Sequence, residues 1–311
     1  MQTKNLLSKL LILCFLGLLA DSMVSKSFAL DLEPGTWSHL PIGINVAGFG
    51  YAYTEADIYT DPTLLLEGVK MEMNTFVGKY VRTFELFDKS ARIDLTQGYQ
   101  EGEWKGLLNG VSASTSREGL TDTFLRFAVN LYGAPPLKGK AFANYRSDMD
   151  VDTIFGMALV VRLPTGEYMN DKLINLGGNR FAFRPQLGVI HNRGKWTAEI
   201  TGEVAFYTEN DEFYNNTTRE QEQLYIIQSH LTYTFRPGLW VCASVGYDYG
   251  GENSINGIDK NDTTQNIAWA FSFSYPINRN AGIKAAYISS RTQESVGFDS
   301  DTITAGIAFS W

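Results

Sequence analysis

Three histidines, His39, His191 and His230, are the only imidazoles in the 311-residue chain. Nucleophilic catalysis needs such a base within hydrogen-bond reach of a Ser, Thr or Cys. No Gly-x-Ser-x-Gly turn occurs, so the strained nucleophile elbow of the hydrolases is missing. Ser229 adjoins His230 in the chain and therefore points to the opposite side of any strand. His191 falls on an apolar face near a strand end, as an interface residue would. An enzyme reading thus needs a Ser–His contact between strands, and the chain reads as a non-enzyme. The acidic runs Glu209-Asn210-Asp211-Glu212 and Asp299-Ser300-Asp301 lack the ligand spacing of a calcium loop. Neither a metal nor a cofactor is expected.

Another group of polar residues recurs at regular intervals between apolar ones: Arg126, Arg162, Arg184, Lys195, Glu199, Glu203, His230 and Lys284. These are candidates to line a lumen. They could brace a barrel interior through an ionic ladder, or set a transverse field that selects solutes, as charged rings do in pores. Either role needs strands to position them. From Lys195 to Tyr207, Trp196, Ala198, Ile200, Gly202, Val204 and Phe206 share one face, while Lys195, Thr197, Glu199, Thr201 and Glu203 share the other, which is the two-residue period of a strand. The segments 123–131, 154–163 and 264–275 repeat the pattern. These runs reach about 10–13 residues, where globular strands peak near 5–6 and a tilted membrane strand needs about 9–11. Charges deep within the polar faces suit a water-lined lumen better than a sandwich core. The fold class that follows is all-β: an antiparallel, up-and-down transmembrane β-barrel.

The two ends of the chain point the same way. Lys4 and Lys9 precede the apolar run Leu10–Ala20, and Ser27-Phe28-Ala29 supplies small residues for cleavage. Residues 1–29 therefore read as a signal peptide, with 30–311 as one barrel domain. The apolar run is too short for a spanning helix, and no later segment is apolar enough. Loss of Lys4, Lys9, Lys26 and Asp21 leaves 23 Lys+Arg against 33 Asp+Glu, a net charge of −10. Such a surface excludes nucleic acid as a partner. Cys14 leaves with the signal, so Cys242 has no intramolecular partner. At the other end, Thr304-x-Gly306-x-x-Phe309-x-Trp311 is similar to the C-terminal signal of barrels inserted by the outer-membrane assembly machinery. Ile303, Ala305, Ile307, Phe309 and Trp311 share a face suited to lipid and an interfacial aromatic girdle.

Alternation and turn chemistry give strands near 43–57, 72–87, 90–99, 121–133, 152–163, 180–192, 195–208, 222–236, 239–250, 264–276, 280–291 and 300–311. Twelve is an even number, as single-chain bacterial barrels have; fourteen is the alternative, because 100–120 has room for another hairpin. Short turns at 87–89, 192–194, 236–238 and 277–279 alternate with long polar loops such as 208–221 and 251–263. Short turns face the periplasm and long loops the outside, with both termini in the periplasm. Two places resist: 134–151 is long for a periplasmic turn, and Arg82 falls on the apolar face of 72–87. Nothing ahead of the first strand reads as a plug domain.

Several ordered segments extend the argument. They are Pro34-Gly35-Thr36-Trp37-Ser38-His39-Leu40-Pro41-Ile42-Gly43, Gly50-Tyr51-Ala52-Tyr53-Thr54-Glu55-Ala56-Asp57-Ile58, Gly133-Ala134-Pro135, Pro164-Thr165-Gly166-Glu167-Tyr168, Leu173 to Arg180, and Tyr233 to Trp240. Together they resemble the outer-membrane transporter family known as the MetA pathway of phenol degradation. The resemblance implies a channel for passive uptake of small, often aromatic or apolar compounds. The implied partners are outer-membrane lipid and lipopolysaccharide, the assembly machinery and a small-molecule substrate. Pro164, Gly166, Tyr168, Asn175, Gly177, Gly178, Asn179 and Arg180 form a candidate constriction loop, although Pro-Thr-Gly and Gly-Gly are also ordinary turn chemistry. A structural or surface-interaction barrel without transport is the rival reading.

Overall fold

The computed structural model describes residues 32–59 and 66–311; the segment read as a signal peptide lies outside them. Seventeen strands follow along the described residues: β1 (Asn45–Tyr59), β2 (Leu66–Leu86), β3 (Lys89–Leu108), β4 (Val111–Leu120), β5 (Thr123–Tyr132), β6 (Val151–Leu163), β7 (Ala182–Arg193), β8 (Trp196–Tyr207), β9 (Asn210–Phe213), β10 (Thr217–Gln221), β11 (Leu224–Arg236), β12 (Leu239–Gly250), β13 (Asn253–Ile255), β14 (Ile258–Asp259), β15 (Thr264–Pro276), β16 (Ala281–Thr292) and β17 (Gly297–Ser310).

Twelve of them close into a ring. Each pairs antiparallel with its neighbours in the order β1, β2, β3, β5, β6, β7, β8, β11, β12, β15, β16, β17, and β17 returns to β1 with Val46 opposite Ser310 and Tyr59 opposite Gly297. The ring is the twelve-stranded barrel that alternation predicts, and the fourteen-strand alternative is corrected. The hairpin allowed for at 100–120 exists, but its second strand stands outside the ring. β3 gives its lower half to β5 (Ala91↔Val129 to Thr96↔Phe124) and its upper half to β4 (Tyr99↔Leu120 to Leu108↔Val111). The wall therefore changes hands at Thr121-Asp122. A small four-stranded sheet of β9, β10, β13 and β14 stands on the same end.

The burial pattern is that of a soluble protein turned inside out. Phe49, Leu95, Met157, Ile200, Ile227, Phe271 and Ile303 point outward and are exposed, whereas Lys79, Arg92, Asp94, Arg126, Glu199 and Lys284 are buried. Water would not sustain that distribution; a hydrocarbon surround requires it. Among the described residues no helix is long and apolar enough to cross a membrane, so the strands do the crossing.

The two ends differ. One has tight turns, including Phe87 and Asp88, both at positive φ, as a two-residue hairpin turn that matches strand twist demands. Both ends of the described barrel meet there, with reciprocal bonds between Asn45 and Trp311 at 3.0 and 3.1 Å. Arg82 is explained at this rim: its Nη1 donates to Asn45 Oδ1 at 2.8 Å, and Tyr80 Oη donates to the same oxygen at 2.7 Å. The long connection of 134–151 holds helix α1 (Gly139–Ser147). Its Phe142 packs with Leu40, Val46, Val81, Trp240 and Ala308 across the short-turn mouth.

The lipid face makes a direct prediction. Leu187, in the middle of β7, is 66% exposed. Leu187→Arg should cost about 2–4 kcal/mol of folding stability in lipid bilayers, read from denaturant titration in vesicles, whereas Leu187→Phe should be close to neutral. An equal, small effect of both substitutions would contradict the placement of this face in hydrocarbon.

Candidate functional site

The lumen is occupied by a described segment that precedes β1. Residues 32–44 form an irregular strap that runs into the barrel ahead of β1, a short lumen segment rather than a plug domain. Glu33 is 1% exposed and sits between Lys79 of β2 at 3.4 Å and Lys284 of β16 at 3.5 Å. On the opposite wall, Glu199 of β8 accepts from the Gly35 amide at 2.7 Å and from Thr36 Oγ1 at 2.6 Å. A carboxylate taking a backbone and a hydroxyl bond is a charge-assisted anchor. Each wall thus contributes the charge that the strap complements.

Trp37 fixes the strap sideways. Its Nε1 donates to Thr201 Oγ1 at 2.8 Å, and the Arg126 guanidinium carbon lies 4.8 Å from its ring centroid. The ring enters a slot made by Gly156 and Gly188, which face each other across β6 and β7. A Cβ on Gly188 would fall 1.9 Å from Trp37 Nε1, and one on Gly156 2.2 Å from Cε3. His39 then turns the strap out over α1. Its Nε2 donates to Pro135 O, 2.7 Å away, and its ring meets Phe142 and Tyr145 edge-on at 4.7 and 5.4 Å.

Around the strap runs a belt of charge. Arg92 and Arg126 flank Asp94 at 2.9 and 3.6 Å, and Arg126 Nε also donates to Gln186 Oε1 at 3.0 Å. Arg184 pairs with Glu203, which also accepts from Gln186 Nε2 at 2.5 Å. Arg162 lies 3.5 Å from Asp122. Of the remaining candidates from sequence, Lys195 is exposed at a short turn with Nζ 6.0 Å from the Tyr233 ring. His230 hydrogen-bonds Ser244 at 2.8 Å and stands in register with Glu199. A Ser–His contact between strands therefore exists, but both partners are buried.

The loop 164–181 lies across the long-loop mouth where the wall changes from β4 to β5. Asp122 is its latch: Oδ1 accepts from the Gly166 amide at 2.9 Å and Oδ2 from the Gly178 amide at 2.7 Å. Glycine is required here, since a Cβ on Gly166 would sit 2.7 Å from Gly177 Cα and 2.6 Å from the Asp122 amide. Asn175 ties the loop to itself through Met169 and Lys172. Tyr168, Asn179 and Arg180 reach across to the small sheet and its neighbours at Glu212, Asn210 and Gln221. At the chain's end, Thr304 is buried in the lumen wall, Gly306 lies opposite Gly50, and Phe309 and Trp311 face outward.

Glu33, Lys79, Arg92, Asp94 and Asp122 escaped the sequence reading. Arg92 and Asp94 sit two apart in a strand and so share a face, a signal that was available. Glu33 and Asp122 lie outside regular strands, where no period marks them.

Comparison with known proteins fits this geometry. The family model for the MetA pathway of phenol degradation matches residues 57–310. The chain belongs to this family. Among solved structures, it is similar to the COG4313 outer membrane channel from Pseudomonas putida F1, with 20% identity, 90% of this chain and 100% of that chain covered, and a TM-score of 0.75. It also matches the beta domain of the Bordetella autotransporter BrkA at 9% identity, with 86% and 99% covered and a TM-score of 0.48. The CymD monoaromatic hydrocarbon channel matches at 8% identity, with 87% and 88% covered and a TM-score of 0.42. No curated protein sequence matches. The closed ring, its lipid-facing exterior and the family together place the chain in the outer membrane.

The strap makes two predictions. Gly188→Leu should drive Trp37 from its slot, so that added protease cuts within 32–44 while the barrel itself stays folded and heat-modifiable on gels; an uncut strap would refute the slot. The second concerns pH. Burial lowers the His39 pKa to about 4, with Arg146 adding to the effect and Asp152 and the Pro135 bond opposing it. The docked strap therefore holds His39 neutral and binds fewer protons than the released strap. Its docking is unaffected well above the ordinary pKa of 6.5 and weakens as pH falls through it towards 4. The loss reaches about 2 kcal/mol by pH 5. Protease cutting of the strap should rise between pH 7 and 5 in the parent and stay flat in His39→Asn.

Proposed function

We propose that the protein is a passive outer-membrane channel for small organic molecules, aromatic or apolar ones included, whose lumen the N-terminal strap constricts. One observation carries this reading. The barrel interior holds an irregular, side-chain-anchored segment, with a cavity of about 350 Å³ beside it at the short turns around His39, Lys195 and Trp240, and a second of about 250 Å³ at the other end, among the ends of β6–β8 and the outer sheet. A twelve-stranded ring lies between the eight strands that side chains fill and the 16–18 that leave an aqueous channel, so a narrow, regulated passage suits its width. The family's pathway association and the channel described for the Pseudomonas protein support the same reading.

The remaining assignments follow from it. Residues 1–29 act as a cleaved signal peptide, short turns and both termini face the periplasm, and Thr304, Gly306, Phe309 and Trp311 are read by the assembly machinery. Lipopolysaccharide contacts the long-loop end. The charged belt braces the wall and the strap, and the His230–Ser244 pair is a structural hydrogen bond in a protein without catalytic activity.

A purely structural barrel is favoured by one feature, the apolar packing of Phe142, Leu40 and Trp240 across the short-turn mouth. Reconstitution separates the two. Liposomes carrying the protein should admit small uncharged aromatics faster than empty vesicles. Glu199→Gln removes the charge that holds Gly35 and Thr36, weakening the anchor by about 1–2 kcal/mol and raising the flux roughly tenfold. No flux above empty vesicles for either protein would establish the structural reading.

A further inference from the structure

The cavity at the long-loop end has a chemistry of its own. Four arginines line it, Arg162, Arg180, Arg184 and Arg219, against a single lining carboxylate, Asp262. Two of the four are matched elsewhere, Arg162 by Asp122 and Arg184 by Glu203. Asp262 spends its oxygens on the Asn253 amide and side chain, at 2.8 and 2.7 Å. Positive charge is therefore left in excess at the cavity.

Arg180 is the group that most needs an anion. It is 6% exposed, its ring contact is the Tyr207 face at 4.7 Å, and its Nη2 bonds Gln221. Its Nη1 is buried without a hydrogen-bond partner among the described residues. Burial, with Arg219 and Arg162 close by, pushes its pKa down to about 9. A guanidinium buried among its own kind is costly unless something negative completes the set. The fork geometry of the group matches a carboxylate or a phosphate.

The rest of the wall chooses between these. Phe124, Leu224, Ile226 and Phe298 also line the cavity. An inorganic anion has no use for such a surface, whereas an organic acid places its head on the arginines and its body on the apolar side. At about 250 Å³, the space lies just below the range of roughly 300–1,000 Å³ that holds drug-sized ligands, so the body is a single ring or a short chain.

We propose that this cavity is a binding site for small organic carboxylates with an apolar body, held by Arg180 and Arg219, and that such acids are the solutes the barrel takes from outside. The second half rests on the channel reading above; the site itself does not.

Benzoate, its uncharged analogue benzamide and inorganic phosphate test the proposal on the full-length mature protein. Titration calorimetry in detergent measures binding, and planar bilayers measure conductance and its block. Benzoate should bind and block, with benzamide at least roughly tenfold weaker, the scale of one lost charge-assisted hydrogen bond. Arg180→Gln should weaken benzoate roughly tenfold and leave benzamide unchanged, and Arg219→Gln should do the same if Arg180→Gln fails to fold. Equal affinity for benzoate and benzamide would overturn the site, as would parental benzoate affinity in a folded arginine variant. Phosphate binding as tightly as benzoate would overturn it too, since the apolar wall would then contribute nothing. Benzoate binding without any conductance would sustain the site and defeat the channel reading. Conductance indifferent to bound benzoate would sustain the channel reading and overturn the claim that such acids are its solutes.

Discussion

Ring closure is the constraint on which the rest of this molecule depends. β17 returns to β1 over an unbroken register from Val46 to Tyr59, so the ring itself has no free edge. In hydrocarbon each unmatched backbone group would cost several kcal/mol, and closure removes that cost at once for all twelve strands. It also divides every strand between two media. Once one face looks at lipid and the other at an enclosed lumen, period-two alternation becomes a radial sorting. Leu95 and Ile200 must go out, and Asp94 and Glu199 must go in.

That sorting creates the next problem, because an enclosed lumen is too narrow to hydrate every charge it receives. The solution is pairing within the wall and with the strap. Arg92, Asp94 and Arg126 link neighbouring strands β3 and β5, and Arg184 and Glu203 link β7 and β8. Glu33 instead brings one carboxylate to two lysines on β2 and β16, strands separated by two others in the ring. Removing one member of a buried ionic set costs about 3–5 kcal/mol, which opposes withdrawal of the strap. The same groups that make the lumen polar therefore hold its obstruction in place.

This division explains which parts of the structure were legible in the sequence. The ring strands were visible because a lipid face and a polar face leave a period of two along 10 or more residues, and ten of the twelve stand within a few residues of where that period puts them, while β2 begins earlier and β3 runs on to Leu108. The strap left no such mark. Its residues Glu33, Thr36 and Trp37 each meet a different wall, and an irregular path has no repeat to detect. Its dependence on Gly156 and Gly188 could not be inferred either, since two glycines 32 positions apart become a slot only when the register of β6 and β7 is known. The upper half of β3 was hidden for a different reason. β4, its partner, is short and rich in Ser and Thr, with no apolar face because it stands outside the ring.

Mobility should follow the same line of division. Wall strands are held by continuous backbone ladders, such as the eleven pairs of β12 with β15, and none can shift without breaking several bonds together. Between Glu33 and Trp37 the strap is held through side chains and one amide, by Glu199, Thr201, Lys79 and Lys284. Backbone-to-backbone bonds to other elements begin at Ile42, with Leu137 and Thr83, next to Pro41, whose carbonyl accepts from Thr83 Oγ1 at 2.7 Å. A segment fixed by a few polar contacts can exchange them for water or for a solute's own polar groups, whereas the wall has no equivalent substitute in lipid. The low-stability end of the molecule is thus the strap, and it lies where a solute crossing the lumen must pass. An acid arriving from the arginine-lined cavity carries a carboxylate that resembles the one Glu33 offers to Lys79 and Lys284, so the charge that anchors the strap is also the charge such a solute can replace.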